Sequence, residues 1–231
     1  DCREFFKKYD EVDGFPIYGN DRYIYQYMSE KFPQDEIKWD MSKIKLVTID
    51  IEVKSEAGFP SPDSCSEEML TISIQDYNTK EILTWGRKPY TPSQKNVTYF
   101  HHEEEVDMLR AFINWWNQDP PEVITGWNCR LYDIPYLCGR VDRIMGTKEM
   151  KRLSPWNIIQ HDEVYINGRP HNVYNIAGVT TLDFMDLYKK FTYVNRESYR
   201  LDFIAETELG QKKLDHSEFN TFKDFYNGDW K

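Results

Sequence analysis

From residue 44 onwards, short apolar runs alternate with amphipathic segments, a pattern typical of a sheet packed against helices. The run over 44–51 is rich in β-branched residues and has the length of a buried central strand. Two more strands are predicted at 70–74 and 81–85, which gives a three-strand meander. Apolar residues at spacings of three and four then predict a helix over 103–118, with acidic residues in its first turn.

The second half of the chain continues this alternation. Residues 123–127 predict a strand, and 134–145 predict a helix that Gly146 is placed to cap. Three more elements follow: a strand over 179–184 that leads into a short helix, a helix over 198–209, and a helix from Ser217. Strands interleaved with helices in this order predict an α/β fold, a mixed β-sheet flanked by helices.

A hairpin is predicted near the end of this region. Asn167-Gly168 separates two strand-like runs, 162–166 and 172–176, and this dipeptide is the strongest signal for a two-residue turn. We expect a β-hairpin that protrudes from the domain and does not close its core.

Residues 1–43 differ from the rest in pattern. They are rich in aromatic and charged residues, and Asp13-Gly14 and Gly19-Asn20 are turn signals. We expect a short lead-in, or the end of an N-terminal domain, before a domain of residues 44–231.

Composition narrows the class of protein. No apolar run reaches the length of about 18 residues that a membrane span needs, and the first residues lack the order of a signal peptide. The four cysteines form no CxxC pair, which indicates thiols in a reducing compartment, the cytoplasm, or the host cytoplasm for a viral protein. The net charge of −10 disfavours a surface that grips long duplex DNA. It allows a small acidic site whose field is set by bound metal ions.

Two acidic residues, Asp50 and Glu52, end the most apolar strand. The strand period of two places both carboxylates on one face. An isolated D-x-E is most often a strand end that meets solvent, so this pattern is weak by itself.

A second group, Asn128 to Asp133, lies between a predicted strand and a predicted helix. Alone, Asp133 would be interpreted as a helix cap and Asn128 as a turn residue. The combination of D-x-E on the first strand with N-x-x-x-[FY]-D on a strand-to-helix turn favours a catalytic role for these residues over a purely structural one. We therefore expect Asp50, Glu52 and Asp133 to converge at the carboxyl edge of the sheet, within about 10 Å of one another.

At these residues the chain resembles the family B DNA polymerases. Asp50-Ile51-Glu52 is similar to the exo I motif of that family, and Asn128 to Asp133 is similar to exo II. The resemblance covers nearly the whole chain and is closest to the replicative polymerases of T-even-like phages. It is carried by three further stretches: residues 7–20, 151–155 and 182–191.

The resemblance implies an RNase H-like fold and a proofreading 3′–5′ exonuclease that acts on the 3′ end of single-stranded or frayed DNA. It implies that Asp50, Glu52 and Asp133 are three of four catalytic carboxylates. They would hold two divalent ions, Mg²⁺ or Mn²⁺, about 4 Å apart. One ion would activate water and the other would stabilise the leaving 3′ oxygen. The implied partner is the polymerase domain of the same parent chain.

The chain departs from the family pattern at the exo III motif, which is Y-x-x-x-D on a helix. This motif supplies the fourth carboxylate and a tyrosine that orients the water, yet no such pattern occurs after Leu201. Tyr226-Asn227-Gly228-Asp229 has the wrong spacing. We therefore expect a domain that is truncated before exo III, and a chain that folds but cleaves poorly.

Three residues near the motifs are candidates for DNA contact. Phe59, in the loop after exo I, and Tyr132 could stack on the bases of a frayed primer end, and core packing is the alternative. Asn128 could hydrogen-bond the terminal nucleotide. Other candidates are better explained as structural or solvated residues: Asp183 and Asp186 as caps, Trp115 and Trp116 as core, His101-His102 as unrelated neighbours, and Lys189, Lys190 and Arg196 as a solvated face.

Two other functions remain open. A non-catalytic module that binds single strands or braces a polymerase would have no need for three acidic residues that face one point. A free-standing exonuclease is disfavoured by the similarity of residues 1–43 to the region that precedes the exonuclease in the phage polymerases.

Overall fold

The computed structural model describes residues 2–9, 12–15, 23–33, 40–55, 58–166 and 168–211. The chain divides into two units, Asp1–Met41 and Ser42–Lys231. The predicted turn at Gly19-Asn20, the predicted helix from Ser217 and the segment Tyr226-Asn227-Gly228-Asp229 lie outside the described residues.

The first unit contains two short helices, α1 (Cys2–Tyr9) and α2 (Tyr23–Lys31). The sequence pattern did not predict either helix. Three aromatic rings, of Phe5, Tyr9 and Phe15, lie 4.8 to 6.5 Å apart and bring α1 against the segment after it. Gly14, with a φ of 76°, forms the predicted turn.

A six-stranded mixed sheet organises the second unit, in the order β4-β3-β2-β1-β5-β8. Its strands are β1 (Leu46–Val53), β2 (Met69–Asp76), β3 (Ile82–Gly86), β4 (Val97–His101), β5 (Val123–Gly126) and β8 (Thr180–Asp183). The pairs β1–β2 and β2–β3 are antiparallel, and the pairs β3–β4, β1–β5 and β5–β8 are parallel. This arrangement confirms the predicted α/β class with its mixed sheet and three-strand meander.

Helices flank the sheet: α3 (Glu105–Gln118), α4 (Asp133–Met145), α5 (Thr147–Lys151), α6 (Phe184–Phe191) and α7 (Leu201–Leu209). Gly146 follows α4 with a φ of 88°, and its N–H donates to the Asp142 carbonyl, so the predicted cap is confirmed. A 3₁₀ turn, Met41–Lys43, precedes β1. None of the described helices is long and apolar enough to span a membrane.

The core lies between the sheet and the helices α3 and α4. Side chains along β1 alternate between buried and exposed, so one face of this strand packs inward and the other faces solvent. Trp116 is fully buried, and its indole N–H donates to the Leu153 carbonyl, while Trp115 packs at the edge of the same core. Both tryptophans are core residues, as the helical spacing indicated.

The edge strand β4 was not predicted. It is only five residues long, and its side chains are half-buried or exposed, so it lacks the apolar alternation that marks a strand in sequence. It joins the sheet by parallel pairing with β3 and by the Phe100 ring, which stacks on Trp85 with centroids 5.3 Å apart. The short helix α5 was missed for a similar reason, since five residues are too few to show a period.

The predicted hairpin is confirmed as a separate two-stranded sheet of β6 (Ile159–Ile166) and β7 (Arg169–Ile176). Ile166 pairs with Arg169, so two residues connect the strands in sequence. Gly168 has a φ of 76°, which is not helical, and Asn167 lies outside the described residues. Tyr165 near the tip is 70% exposed, whereas Val173 and Ile176 near the base are buried. The hairpin is therefore anchored at its base and protrudes at its tip.

A buried ion pair between Glu105 and Arg140 joins α3 to α4. The guanidinium makes two hydrogen bonds to the carboxylate, of 2.8 and 2.7 Å, and both side chains are 11% exposed. Glu105 also accepts the Met69 N–H, and Arg140 donates to the carbonyls of Cys65 and Ser66. This pair fixes both helices and the loop before β2 at a single point.

We expect Arg140→Met to lower the free energy of unfolding by about 3 kcal/mol, because Glu105 would remain buried without its counter-charge. The matched control is Arg110→Met, which removes an exposed pair with Asp107 and should cost less than about 0.5 kcal/mol. Urea denaturation of the two variants measures the difference. Equal losses of stability would contradict the role assigned to Arg140.

Candidate active site

The carboxyl end of β1 carries Asp50 and Glu52 on its exposed face, separated by the buried Ile51. The strand β5 pairs with β1 only as far as Thr48, so the backbone of β1 continues beyond its neighbour on that side. The Ile51 N–H is directed there and donates to Oδ1 of Asp133, at 3.1 Å. Asp133 therefore contacts the strand segment between Asp50 and Glu52.

The loop of residues 127–132 brings Asp133 to that position. The loop follows Gly126, the last residue of β5. A Cβ atom at this position would lie 2.8 Å from the Ile49 carbonyl oxygen and 2.9 Å from Cβ of Cys129, so only glycine fits without a shift. Asn128 follows with a φ of 64°, a left-handed conformation that asparagine tolerates better than most residues. Helix α4 then begins at Asp133.

Asp183, at the end of β8, holds this loop through its carboxylate. Oδ1 accepts the Asn128 N–H at 3.0 Å, and Oδ2 accepts the Arg130 N–H at 2.9 Å. Oδ1 also accepts the Met185 N–H at 2.9 Å, so Asp183 caps α6 as the sequence indicated. The additional function of anchoring the loop could not be predicted, because it depends on β5 and β8 being neighbours.

The electrostatic environment of Asp133 is unfavourable for its charge. Burial is the largest cause and the negative charge of Asp50 the next, and together they raise the pKa of this carboxyl group to about 7, against the hydrogen bond from the Ile51 amide. The cause is the combination of a desolvated carboxylate and a like charge close by. Perturbed carboxylates of this type occur preferentially at functional sites.

Two aromatic side chains lie beside the carboxylates. The Phe59 ring is 82% exposed, and its centroid is 5.0 Å from that of Tyr132. Tyr132 also lies 5.9 Å from Tyr136, which is buried. Burial raises the pKa of the Tyr132 phenol, and the charges of Asp133 and Glu52 contribute to the same shift. Tyr132 is thus close to the acidic group, and Phe59 extends from it into solvent.

The other residues singled out in the sequence lie in different contexts. Arg196 pairs with Glu208 and donates to the Tyr188 hydroxyl, and the Lys189 ammonium lies 4.9 Å from the centre of the Tyr199 ring. Asp186 is 3.7 Å from Arg130, with both side chains about half exposed. Among the side chains that the structure describes, no three of His, Cys, Asp or Glu are placed to hold a metal ion together.

We expect Asp133→Asn to stabilise the metal-free protein at pH 8. The pKa of Asp133 rises from 3.8 to about 7 on folding, so the charged form costs stability, and the wild type should lose stability as the pH rises from about 4 to about 7. Asparagine removes the charge and keeps an oxygen for the Ile51 amide. In EDTA at pH 8 the Tm should rise by about 4 °C or more, with no gain at pH 4.

The control for this measurement is Asp202→Asn, which replaces an exposed carboxylate on α7 and should leave the pH dependence unchanged. Thermal unfolding followed by circular dichroism from pH 4 to pH 8 compares the three proteins. A lower Tm for Asp133→Asn at pH 8 would show that the charge is stabilising and would contradict the prediction.

Comparison with known proteins identifies the family. Residues 21–204 match the family described as DNA polymerase family B, exonuclease domain. The DNA-directed DNA polymerase of Escherichia phage RB69 is 30% identical over 93% of this chain and 26% of its own length, and that of Enterobacteria phage T4 is 28% identical over the same shares. The DNA polymerase catalytic subunit of human herpesvirus 7 is 27% identical over 87% of this chain and 20% of its own. The chain spans about a quarter of the length of the phage relatives. It belongs to the exonuclease-domain family of the family B DNA polymerases.

Proposed function

We propose that this chain is the proofreading 3′–5′ exonuclease part of a DNA-directed DNA polymerase. It would hydrolyse the terminal phosphodiester of single-stranded or frayed DNA. The observation that carries the proposal is the buried Asp133 carboxyl group beside the β1 segment of Asp50 and Glu52. Family membership supports the reaction class, and this contact supports the assignment of the three residues.

The donor set suits hard divalent cations. Asp50, Glu52 and Asp133 offer carboxylate oxygens, the ligands that Mg²⁺ and Mn²⁺ prefer. The charge of Asp50 and the burial of Asp133 together disfavour the ionised form of Asp133, and a cation between the two carboxylates would offset that repulsion. When bound, two such ions supply an activated water and neutralise charge on the leaving oxygen.

The surrounding residues would position the strand. Asp50 and Glu52 point to the solvent face of β1, where a DNA end can approach. The Ile51 amide orients the Asp133 carboxylate. Phe59 and Tyr132 would stack on the terminal bases, which is how aromatic side chains bind single strands without sequence preference. Asn128, held by Asp183, would hydrogen-bond the terminal nucleotide.

The partner we infer is the polymerase domain of the same parent protein, since the relatives are DNA polymerases about four times as long as this chain. The described cysteines, Cys65, Cys129 and Cys138, are free and buried, which supports action in a reducing compartment such as the host cytoplasm. The competing proposal is a non-catalytic module that binds single strands or braces the polymerase. It predicts DNA binding without metal-dependent cleavage.

Alanine at Asp50, Glu52 or Asp133 should reduce cleavage of a labelled single-stranded 3′ end by at least about 100-fold in Mg²⁺ or Mn²⁺. The assay should use a form that extends through a Y-x-x-x-D helix, because residues 201–231 contain no such motif. The matched control is Asp202→Ala on α7. Undiminished cleavage in all three alanine variants would contradict the assignment of these residues, whereas binding without cleavage in the unsubstituted protein would favour the binding module.

The 231-residue chain itself should cleave orders of magnitude more slowly than the extended form, because misplacing the attacking water is costly even when binding persists. Both forms are compared on the same 3′-labelled strand. If the short form is as fast as the long one, and Asp229→Ala abolishes its activity, then Tyr226-Asn227-Gly228-Asp229 supplies the missing residues and the motif assignment is wrong.

Phe59→Ala should weaken binding of a short single strand about 10-fold, because a stacked base contributes about 1–3 kcal/mol. Tyr77→Ala is the matched control, since Tyr77 is 51% exposed and follows β2 at the opposite edge of the sheet. Fluorescence anisotropy with a labelled oligonucleotide measures both. An equal change in the two variants would exclude a specific base contact by Phe59.

A further inference from the structure

A cleft of about 250 Å³ lies between the exo II loop and the base of the hairpin. It combines an apolar lining with polar groups. Val173, Ile176 and Val179 are its buried apolar residues, and Thr180, Thr181 and Arg130 are among its polar ones. The protein has a net charge of −10, yet none of the residues that line this cleft within the described part of the chain carries a carboxylate.

The Arg130 backbone is fixed while its side chain can reorient. Its N–H donates to the Asp183 carboxylate at 2.9 Å, and the same carboxylate holds Asn128. The guanidinium is 45% exposed and lies 3.7 Å from the Asp186 carboxylate, which is 53% exposed. An ion pair with this exposure and distance contributes little, so a stronger anionic ligand can displace it.

A DNA phosphate has the chemistry that this arrangement recognises. The planar guanidinium of arginine binds phosphate oxygens through two parallel hydrogen bonds. The threonine hydroxyls can donate to the same group, and the apolar residues exclude water from one side of it. Arg130 is three residues before Asp133 on one anchored loop, so an anion held here is at a defined offset from the candidate catalytic carboxylates.

We propose that this cleft is a phosphate subsite for the DNA strand, in which Arg130 contacts one backbone phosphodiester on the 5′ side of the terminal nucleotide. The inference rests on the proposed function and adds to it a specific contact. The subsite would hold the strand in register while the carboxylates act on its end. It also supplies positive charge where an acidic domain must accept a polyanion.

The test measures binding of this chain to a fluorescent single-stranded oligonucleotide in Ca²⁺, from 50 to 200 mM salt. Arg130→Gln should weaken binding about 5- to 10-fold and reduce the slope of log K against log salt by about 0.7. The matched control is Arg152→Gln, since Arg152 pairs with Glu149 beyond the other end of α4. A second arm places one neutral methylphosphonate at each of the last five linkages in turn.

At one linkage the methylphosphonate should weaken wild-type binding and have no further effect in Arg130→Gln, because the contact is already lost. Unchanged affinity and slope in Arg130→Gln, or the same loss at every linkage in both proteins, would overturn the subsite. Those results leave the exonuclease proposal standing, because it depends on cleavage and on Asp50, Glu52 and Asp133. Absence of any single-strand binding would overturn both.

Discussion

The placement of one carboxyl group, that of Asp133, in a desolvated corner beside Asp50 is the constraint on which the rest of the structure depends. Burial and a like charge both oppose ionisation there, and backbone amide hydrogen bonds, first among them the one from Ile51, partly offset them. A fold selected only for stability would avoid this arrangement, because each unit of raised pKa corresponds to about 1.4 kcal/mol against the charged form. The cost is understandable if the charge has a function that only the folded chain provides.

The surrounding elements limit where Asp133 can lie. The pairing of β5 with β1 ends at Thr48, so the Ile51 amide is left for the carboxylate of Asp133. Gly126 lets the chain turn against the β1 backbone, and Asp183 fixes two amides of the loop that follows. Since β8 and β5 are parallel neighbours, with Gly126 opposite Asp183, the position of the loop depends on sheet register and not on its own propensity.

The elements with a regular period were predicted most directly from the sequence. β1, β2 and α3 repeat buried positions at a regular spacing and were located to within a few residues. β3 and α4 were also located, although their buried positions are largely contiguous. β4 and α5 are too short or too exposed to show a period. The combination of Asp50-x-Glu52 with Asp133 predicted an acidic site, and this assignment stays a prediction that the hydrogen bond from the Ile51 amide to Asp133 supports. The contacts of Asp183 and Arg130 could not be derived, because they join segments more than 50 positions apart in sequence, such as Asn128 and Asp183.

An acidic protein that binds DNA needs separate groups for attracting the strand and for catalysis. In the proposed function, the carboxylates at the end of β1 would repel a phosphate until divalent cations neutralised them, so they could not also provide the initial attraction. Arg130 lies on the same anchored loop but lines a cleft without carboxylates among its described lining residues. In the proposed arrangement Arg130 would attract the strand and the carboxylates would carry the chemistry, and Asp183 holds two amides of the loop that carries Arg130. Substitution of Asp183 would therefore be expected to displace this loop and weaken both proposed roles, although Asp183 itself is assigned to neither of them.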